Sequence, residues 1–122
     1  MKKLIFFQTS LLLAASLCLS FFPLKAKASE TIVSCKAGRY YIEVQHNSVR
    51  NNYTYTAYDG STSSPSLILR NGSRRDGRIA EFFTFQNGKY SYVVAKKFEG
   101  RGGEVYLSIY KSKQQIFYQQ CQ

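Results

Sequence analysis

The chain has 122 residues, and its 17 lysines and arginines against seven aspartates and glutamates give a formal net charge of +10. This length allows one small domain, and the basic charge favours anionic partners over cationic ones. One histidine and three cysteines do not supply the ligands of a usual zinc site. We therefore predict no metal and no cofactor, and we expect the protein not to be an enzyme.

The N-terminal segment has the features of an export signal. Two lysines begin it, a long apolar run follows, and "AKA" at 26–28 fits the small-x-small rule for signal peptidase. We predict a cleaved signal peptide over residues 1–28 and a single β-barrel domain over residues 29–122. An uncleaved membrane anchor is the alternative, but the polar residues 8–10 interrupt the apolar run.

Cleavage would remove four lysines and lower the net charge from +10 to +6. The first acidic residue of the chain is Glu30, so the predicted signal peptide contains none, and it resembles a bacterial signal peptide. We therefore predict a secreted or periplasmic bacterial protein, monomeric, with no membrane span after cleavage. Its excess of positive charge either attracts an anionic partner or only keeps the protein soluble.

The cysteines predict one disulfide. Cys18 would leave with the signal peptide, so that Cys35 and Cys121 remain near the two ends of the mature chain. Two cysteines in an oxidising compartment are expected to pair. In the chain-entropy model, a bridge that closes so long a loop stabilises the fold by about 4–5 kcal/mol.

The mature chain shows no helical periodicity, and apolar residues alternate with polar ones along most of it. The pattern predicts about eight short strands and an all-β fold, either a small antiparallel eight-stranded barrel or a compact sandwich, closed by the disulfide. The residues that the alternation places on the buried face include Ile42 and Val44, Tyr53 and Tyr55, Leu67 and Leu69, Phe83 and Phe85, Tyr92 and Val94, and Val105, Leu107 and Ile109.

Glycine-containing segments mark the turns between these strands. Asn87-Gly88 predicts a hairpin with a type I′ turn, because Asn and Gly both tolerate positive φ. The glycine-rich stretch 99–103 predicts a longer hairpin loop. The stretch "RNGSRRDGR" at 70–78 contains two Asx-Gly pairs and four arginines, and we predict that it is a hairpin loop joining two strands.

Basic and aromatic side chains predict a binding surface. Arginine binds phosphate, sulfate or carboxylate bidentately, and exposed tyrosines stack on sugars or bases. A polyanion, a glycan or a secreted protein is the expected partner, although edge lysines and outward tyrosines also occur on small barrels without a ligand. The candidate anion-binding residues are Arg70, Arg74, Arg75, Arg78, Lys96, Lys97 and Arg101, and the candidate stacking residues are Tyr41, Tyr58, Tyr106 and Tyr110.

A small exported nuclease is the sharpest enzymatic alternative. It would need an acid and a base beside a phosphate-binding arginine. His46 with Glu81 or Glu43 and Arg74 could form such a set, but no spacing in the sequence requires it. We therefore expect a binding module for an anionic or glycan partner.

The later part of the chain resembles a known family. The segments "QNGKYSYVV", "EVYLSIYK" and "QQIFYQQCQ" are similar to parts of the periplasmic inhibitors of C-type lysozyme, which are eight-stranded barrels. The resemblance implies that fold and, as an alternative function, inhibition of a secreted or wall-degrading enzyme such as lysozyme.

Two motifs of that family differ here. Its inhibitory Ser-Gly-x-x-Tyr loop corresponds to "NGSRRDGRIAEF" at 71–82, which lacks that order, and its Trp-x-Lys-Gly motif has no tryptophan here, although Lys96 or Lys97 could occupy the lysine position. The segments "SPSLILRNG" and "FQNGKYSYVV" also resemble small exported cyanobacterial proteins of unknown function.

Overall fold

The computed structural model describes residues 29–60 and 63–122, and the predicted signal peptide lies outside them. The described residues form eight strands and one 3₁₀ turn, Glu99–Arg101, and none of their helices is long and apolar enough to cross a bilayer. The strands are β1 Ser29–Ala37, β2 Tyr40–Asn47, β3 Asn52–Asp59, β4 Pro65–Asp76, β5 Ala80–Asn87, β6 Tyr90–Lys97, β7 Val105–Lys111 and β8 Gln114–Gln120.

The eight strands follow one another in chain order in a single antiparallel meander. The sheet curls into a half-barrel, and no β1–β8 ladder closes it within the described residues. The seam is held instead by the predicted Cys35–Cys121 disulfide, with Cα atoms 5.0 Å apart, and by a hydrogen bond from the backbone N–H of Gln122 to the carbonyl of Lys36. The all-β fold and the disulfide are therefore confirmed, whereas a closed barrel is not.

The concave, inner face of the sheet carries the core. Phe83, Phe85 and Val94 are almost fully buried, as are Ile42 and Val44 on the other side of the fold. These residues alternate with outward-facing neighbours, as a pleated strand requires. The alternation in the sequence therefore identified the inner face correctly.

The prediction that residues 70–78 form a hairpin loop was wrong. Residues 70–76 continue strand β4, which pairs with β3 through its first part and with β5 through its last part. At Asn71, with φ of 62°, and buried Gly72 the register shifts, so that the Asn-Gly pair forms a β-bulge and bends the strand. A Cβ on Gly72 would lie 2.2 Å from the Phe85 ring, so this position also lacks room for a side chain.

The hairpin predicted at Asn87-Gly88 is present, but its turn differs. Asn87 ends β5, and the residues between the strands are Gly88 and Lys89, of which Gly88 alone has positive φ, 62°. A glycine at the first central position is typical of a type II′ turn, not the predicted type I′. Both central residues of the last hairpin, Ser112 and Lys113, have positive φ.

Candidate functional site

The largest concavity among those described lies on the convex, outer face of β5–β8 and of the end of β4. We call it the outer groove, and its volume is about 590 Å³. It is lined by Arg75, Ile79, Ala80, Phe82, Thr84, Val93, Ala95, Lys97, Tyr106, Ser108, Tyr110 and Tyr118.

The strand register explains why a groove forms on this face. Thr84, Val93 and Ser108 lie opposite one another on successive strands, and Ala95 lies in the next row. These short side chains form the floor. Longer side chains from the neighbouring positions rise around it, so that a concave surface results from alternating small and large residues.

Two predicted basic residues lie at the groove over aromatic rings. The guanidinium carbon of Arg75 is 4.7 Å from the centroid of Phe82, and Lys97 Nζ is 5.7 Å from that of Tyr106. Such cation–π contacts hold a charge in place and leave its hydrogen-bond donors available. Arg75 forms no ion pair within the described residues, and Lys97 Nζ lies 3.8 Å from Glu104 Oε2.

Tyrosines form one wall of the groove. The rings of Tyr106 and Tyr118 are stacked, with centroids 5.7 Å apart and an interplanar angle of 14°. Tyr118 is 61% exposed and presents a ring to solvent. Two of the four predicted stacking residues, Tyr106 and Tyr110, therefore belong to the same surface as Arg75 and Lys97.

Sequence reasoning did not select Tyr118 and Phe82 as site residues. The last strand, "QQIFYQQ", has no clear alternation, so the orientation of Tyr118 could not be inferred before its pairing with Ser108 was known. Phe82 carried a usable signal. It lies one position before the core residue Phe83, so strand alternation places its ring on the outer face.

Arg74 lies apart from the groove and is already occupied by carboxylates. Its Nε is 2.8 Å from Glu81 and its Nη2 is 2.8 Å from Asp76. The hydrogen bond to Glu81, helped by the nearby charge of Asp76, raises the pKa of Arg74 above its ordinary value. Two of its three guanidinium nitrogens therefore already contact carboxylates of the protein.

The other predicted basic residues are scattered. Arg70 lines a separate polar depression of about 280 Å³ together with Arg50 and asparagines. Lys96 Nζ lies 4.0 Å from Glu99, at the base of the 3₁₀ turn. Arg78 and Arg101 are exposed in the connections before β5 and β7.

Tyr41 and Tyr58 form a second aromatic pair on the outer face of β2 and β3. Their ring centroids are 6.3 Å apart, and the Tyr41 hydroxyl donates to Ser34 Oγ at 3.2 Å. Neither lines the outer groove. The predicted basic and aromatic residues therefore do not form one composite site.

His46 lies on the inner face at the end of β2. Its Nε2 is 3.0 Å from Asn51 Oδ1, and its ring packs against Tyr53 at 4.9 Å. None of the described hydrogen bonds or ion pairs joins His46 to Arg74 or Glu81. Nor do the described residues contain a group of three histidine, cysteine or acidic side chains placed to hold a metal ion.

Comparison of the chain with protein-family models, curated proteins and solved structures finds no match. The function is therefore inferred from the residues of the outer groove.

Proposed function

We propose that this protein is an exported, non-enzymatic binding module for acidic glycans, and that the outer groove is its binding site. The observation that carries the proposal is the pairing of two cations with aromatic rings around one concave floor, in a lining that contains no acidic residue. A ligand that matches this surface has flat faces of carbon–hydrogen bonds and a negative charge beside them.

The aromatic wall supports the glycan part of the proposal. The face of an aromatic ring is electron-rich, so it attracts the weakly positive C–H groups on one face of a pyranose ring. Tyr106 and Tyr118 add hydroxyl groups that are able to hydrogen-bond sugar oxygens. The groove volume of about 590 Å³ also falls within the usual range of ligand sites, roughly 300–1,000 Å³.

The cations support the acidic part. Arg75 offers a planar guanidinium that matches a carboxylate or sulfate with two parallel hydrogen bonds. Its carbon lies over Phe82, and no carboxylate of the described chain pairs with it. Lys97 adds a second positive charge, which the long contact with Glu104 neutralises only in part.

Oligogalacturonate and its fully methyl-esterified form test the proposal, because they share one backbone and differ in charge. We expect calorimetric binding of the acid form and at least tenfold weaker binding of the ester. The double variant Arg75→Ala/Lys97→Ala should weaken binding of the acid at least tenfold, as loss of charged hydrogen bonds costs about 1.5 kcal/mol or more.

The matched control is Arg78→Ala/Arg101→Ala, which removes the same charge outside the groove. We expect it to change affinity less than twofold. Equal weakening by the two double variants would show that bulk charge binds the glycan, and no binding of either glycan would refute the proposal. The same preparations, assayed on C-type lysozymes, test the inhibitor prediction, which requires inhibition at micromolar protein.

A further inference from the structure

A second concavity lies inside the half-barrel, near the end where β1 leads into β2 and β3 into β4. We call it the inner cavity, and its volume is about 320 Å³. Its walls are aliphatic and aromatic, with Ile42, Leu67, Leu107 and Ile109 among them, and the lining contains no charged residue. It faces the concave side of the sheet, whereas the outer groove lies on the convex side.

Three tyrosines line the inner cavity, of which Tyr40 is 45% exposed and Tyr55 and Tyr92 are less exposed. Tyr55 is only 2% exposed, lies 5.3 Å from the ring of Tyr92 and lines the cavity with it. Neither hydroxyl has a hydrogen-bond partner in the described part of the chain. Ser66 also lines the cavity, and its hydroxyl already donates to the carbonyl of Ala57 at 3.1 Å.

The ring of Tyr55 is buried, but its hydroxyl reaches the open space of the cavity, because Glu104 Oε2 is the one buried side-chain oxygen or nitrogen of the described residues that lacks a hydrogen-bond partner. The Tyr55 hydroxyl is therefore available to a molecule that enters the inner cavity. Burial raises the pKa of Tyr55 above its ordinary value, and the nearby Tyr92 raises it further by a smaller amount. A tyrosine hydroxyl is protonated at neutral pH even at its ordinary pKa, so that of Tyr55 can donate a hydrogen bond to a molecule in the cavity.

The lining defines the chemistry of the occupant. A charged ligand would lose its hydration with no opposite charge to compensate, so the ligand is neutral. A buried apolar cavity of about 150 Å³ accommodates benzene, so about 320 Å³ accommodates roughly twice as many atoms. We propose that the inner cavity binds a neutral, mostly apolar ring compound of about a dozen non-hydrogen atoms, with one oxygen that hydrogen-bonds Tyr55 or Tyr92.

Titration of the purified, disulfide-bonded protein with 2-naphthol and with naphthalene tests this proposal. The two probes fill the same space and differ by one hydroxyl. Calorimetry and ligand-observed NMR should give a dissociation constant on the order of 100 µM for 2-naphthol, as expected for a ligand of that size, and weaker binding for naphthalene.

Variants that fill the inner cavity locate the site, and a variant that removes one hydroxyl tests its role. Ala57→Leu fills the inner cavity and should abolish binding of both probes, and Leu67→Trp does the same if the first variant does not fold. Tyr55→Phe should weaken 2-naphthol about fivefold and change naphthalene less than twofold, because it removes one hydrogen bond and keeps the ring. Arg75→Ala/Lys97→Ala should alter neither affinity.

The absence of binding by both probes up to their solubility limits would overturn the proposal, and so would retention of binding in a folded cavity-filling variant. Equal weakening of the two probes by Tyr55→Phe would overturn the role of the hydroxyl. Since the glycan assays use the other face of the sheet, failure of either proposal leaves the other to be judged on its own result.

Discussion

The outer face of β1–β3 and the outer face of β5–β8 are built by the same alternation but carry different chemistry. On β1–β3, neighbouring strands satisfy each other's polar groups: Thr31 Oγ1 donates to Glu43 at 2.8 Å, and Tyr41 donates to Ser34 at 3.2 Å. On β5–β8, the outer positions carry aromatic rings and Lys97, and Arg75 near the end of β4 adds the second cation of the outer groove.

The difference shows which exposed residues are available for binding. Hydrogen bonds between strands use the donors and acceptors of the first face, so a ligand would have to displace them. Arg75 and the ring of Tyr118 on the second face have no such competing hydrogen bonds or ion pairs in the described part of the chain. The exposure of a side chain is therefore a weaker guide to a site than whether its polar groups are already paired.

The largest expected effect comes from the seam that holds β1 against the end of the chain. Replacing Cys35 and Cys121 together by alanine should reduce the free energy of unfolding by about 4–5 kcal/mol, because the bridge joins residues 86 positions apart. Urea unfolding with and without a reducing agent measures this. A loss below 1 kcal/mol would mean that packing alone holds the first strands to the last.

Gly72 lies at the bulge of β4, where the strand stops pairing with β3 and begins to pair with β5. The strand therefore connects the two parts of the sheet at this residue. Gly72→Ala should cost about 1–3 kcal/mol, since the new Cβ would meet the Phe85 ring at 2.2 Å. Gly100→Ala is the matched control, because a Cβ there meets nothing within 4 Å. Similar unfolding midpoints for the two variants would contradict the close approach at the bulge.

Tyr55 extends the comparison to the inner face. Its folded pKa is raised and its unfolded pKa is about 10, so the stabilisation that it gives is complete below pH 10 and is lost as the pH rises above that value. Between pH 10 and 11 we expect a loss of about 1 kcal/mol in the wild type that Tyr55→Phe does not show. Urea unfolding of both proteins at pH 9, 10 and 11 measures the difference, and parallel profiles would show that Tyr55 ionises freely.

Tyr118 and Tyr58 compare the two faces directly. Tyr118→Ala should weaken binding of oligogalacturonate about fivefold to tenfold, because it removes half of the stacked pair at the outer groove. Tyr58→Ala removes a tyrosine from the other face and should change the affinity less than twofold. Calorimetry measures the affinity of both variants for oligogalacturonate. Equal weakening by the two substitutions would contradict binding at the outer groove.

The sequence predicted the inner face better than the connections between strands. Phe83, Phe85 and Val94 were assigned to the core because apolar alternation is a local property, readable within one strand. The Asn71-Gly72 pair was misassigned because positive φ is needed by turns and by bulges alike. Only the pairing of β4 with two different partners distinguishes these cases, and that is a long-range property.

The same limit applied to the candidate site. Arg75 and Lys97 were named from composition, but so was Arg74, whose neighbour Glu81 becomes its ion-pair partner only when β4 and β5 pair. Tyr118 could not be placed on the outer face without the register of β8 against β7. Residue types therefore suggested the chemistry of the site, and the strand register selected its members.

Glu104 gives the smallest and most specific test of the outer groove. Its Oε2 is buried, makes no hydrogen bond and lies 3.8 Å from Lys97 Nζ, so it partly neutralises that cation. Glu104→Gln should strengthen binding of oligogalacturonate about twofold to threefold, consistent with a half-exposed ion pair worth a few tenths of a kcal/mol. Glu99→Gln is the control, because Glu99 contacts Lys96, which does not line the groove. Calorimetry that shows equal gains for the two variants would assign the effect to net charge, whereas a gain confined to Glu104→Gln would place the bound anion beside Lys97.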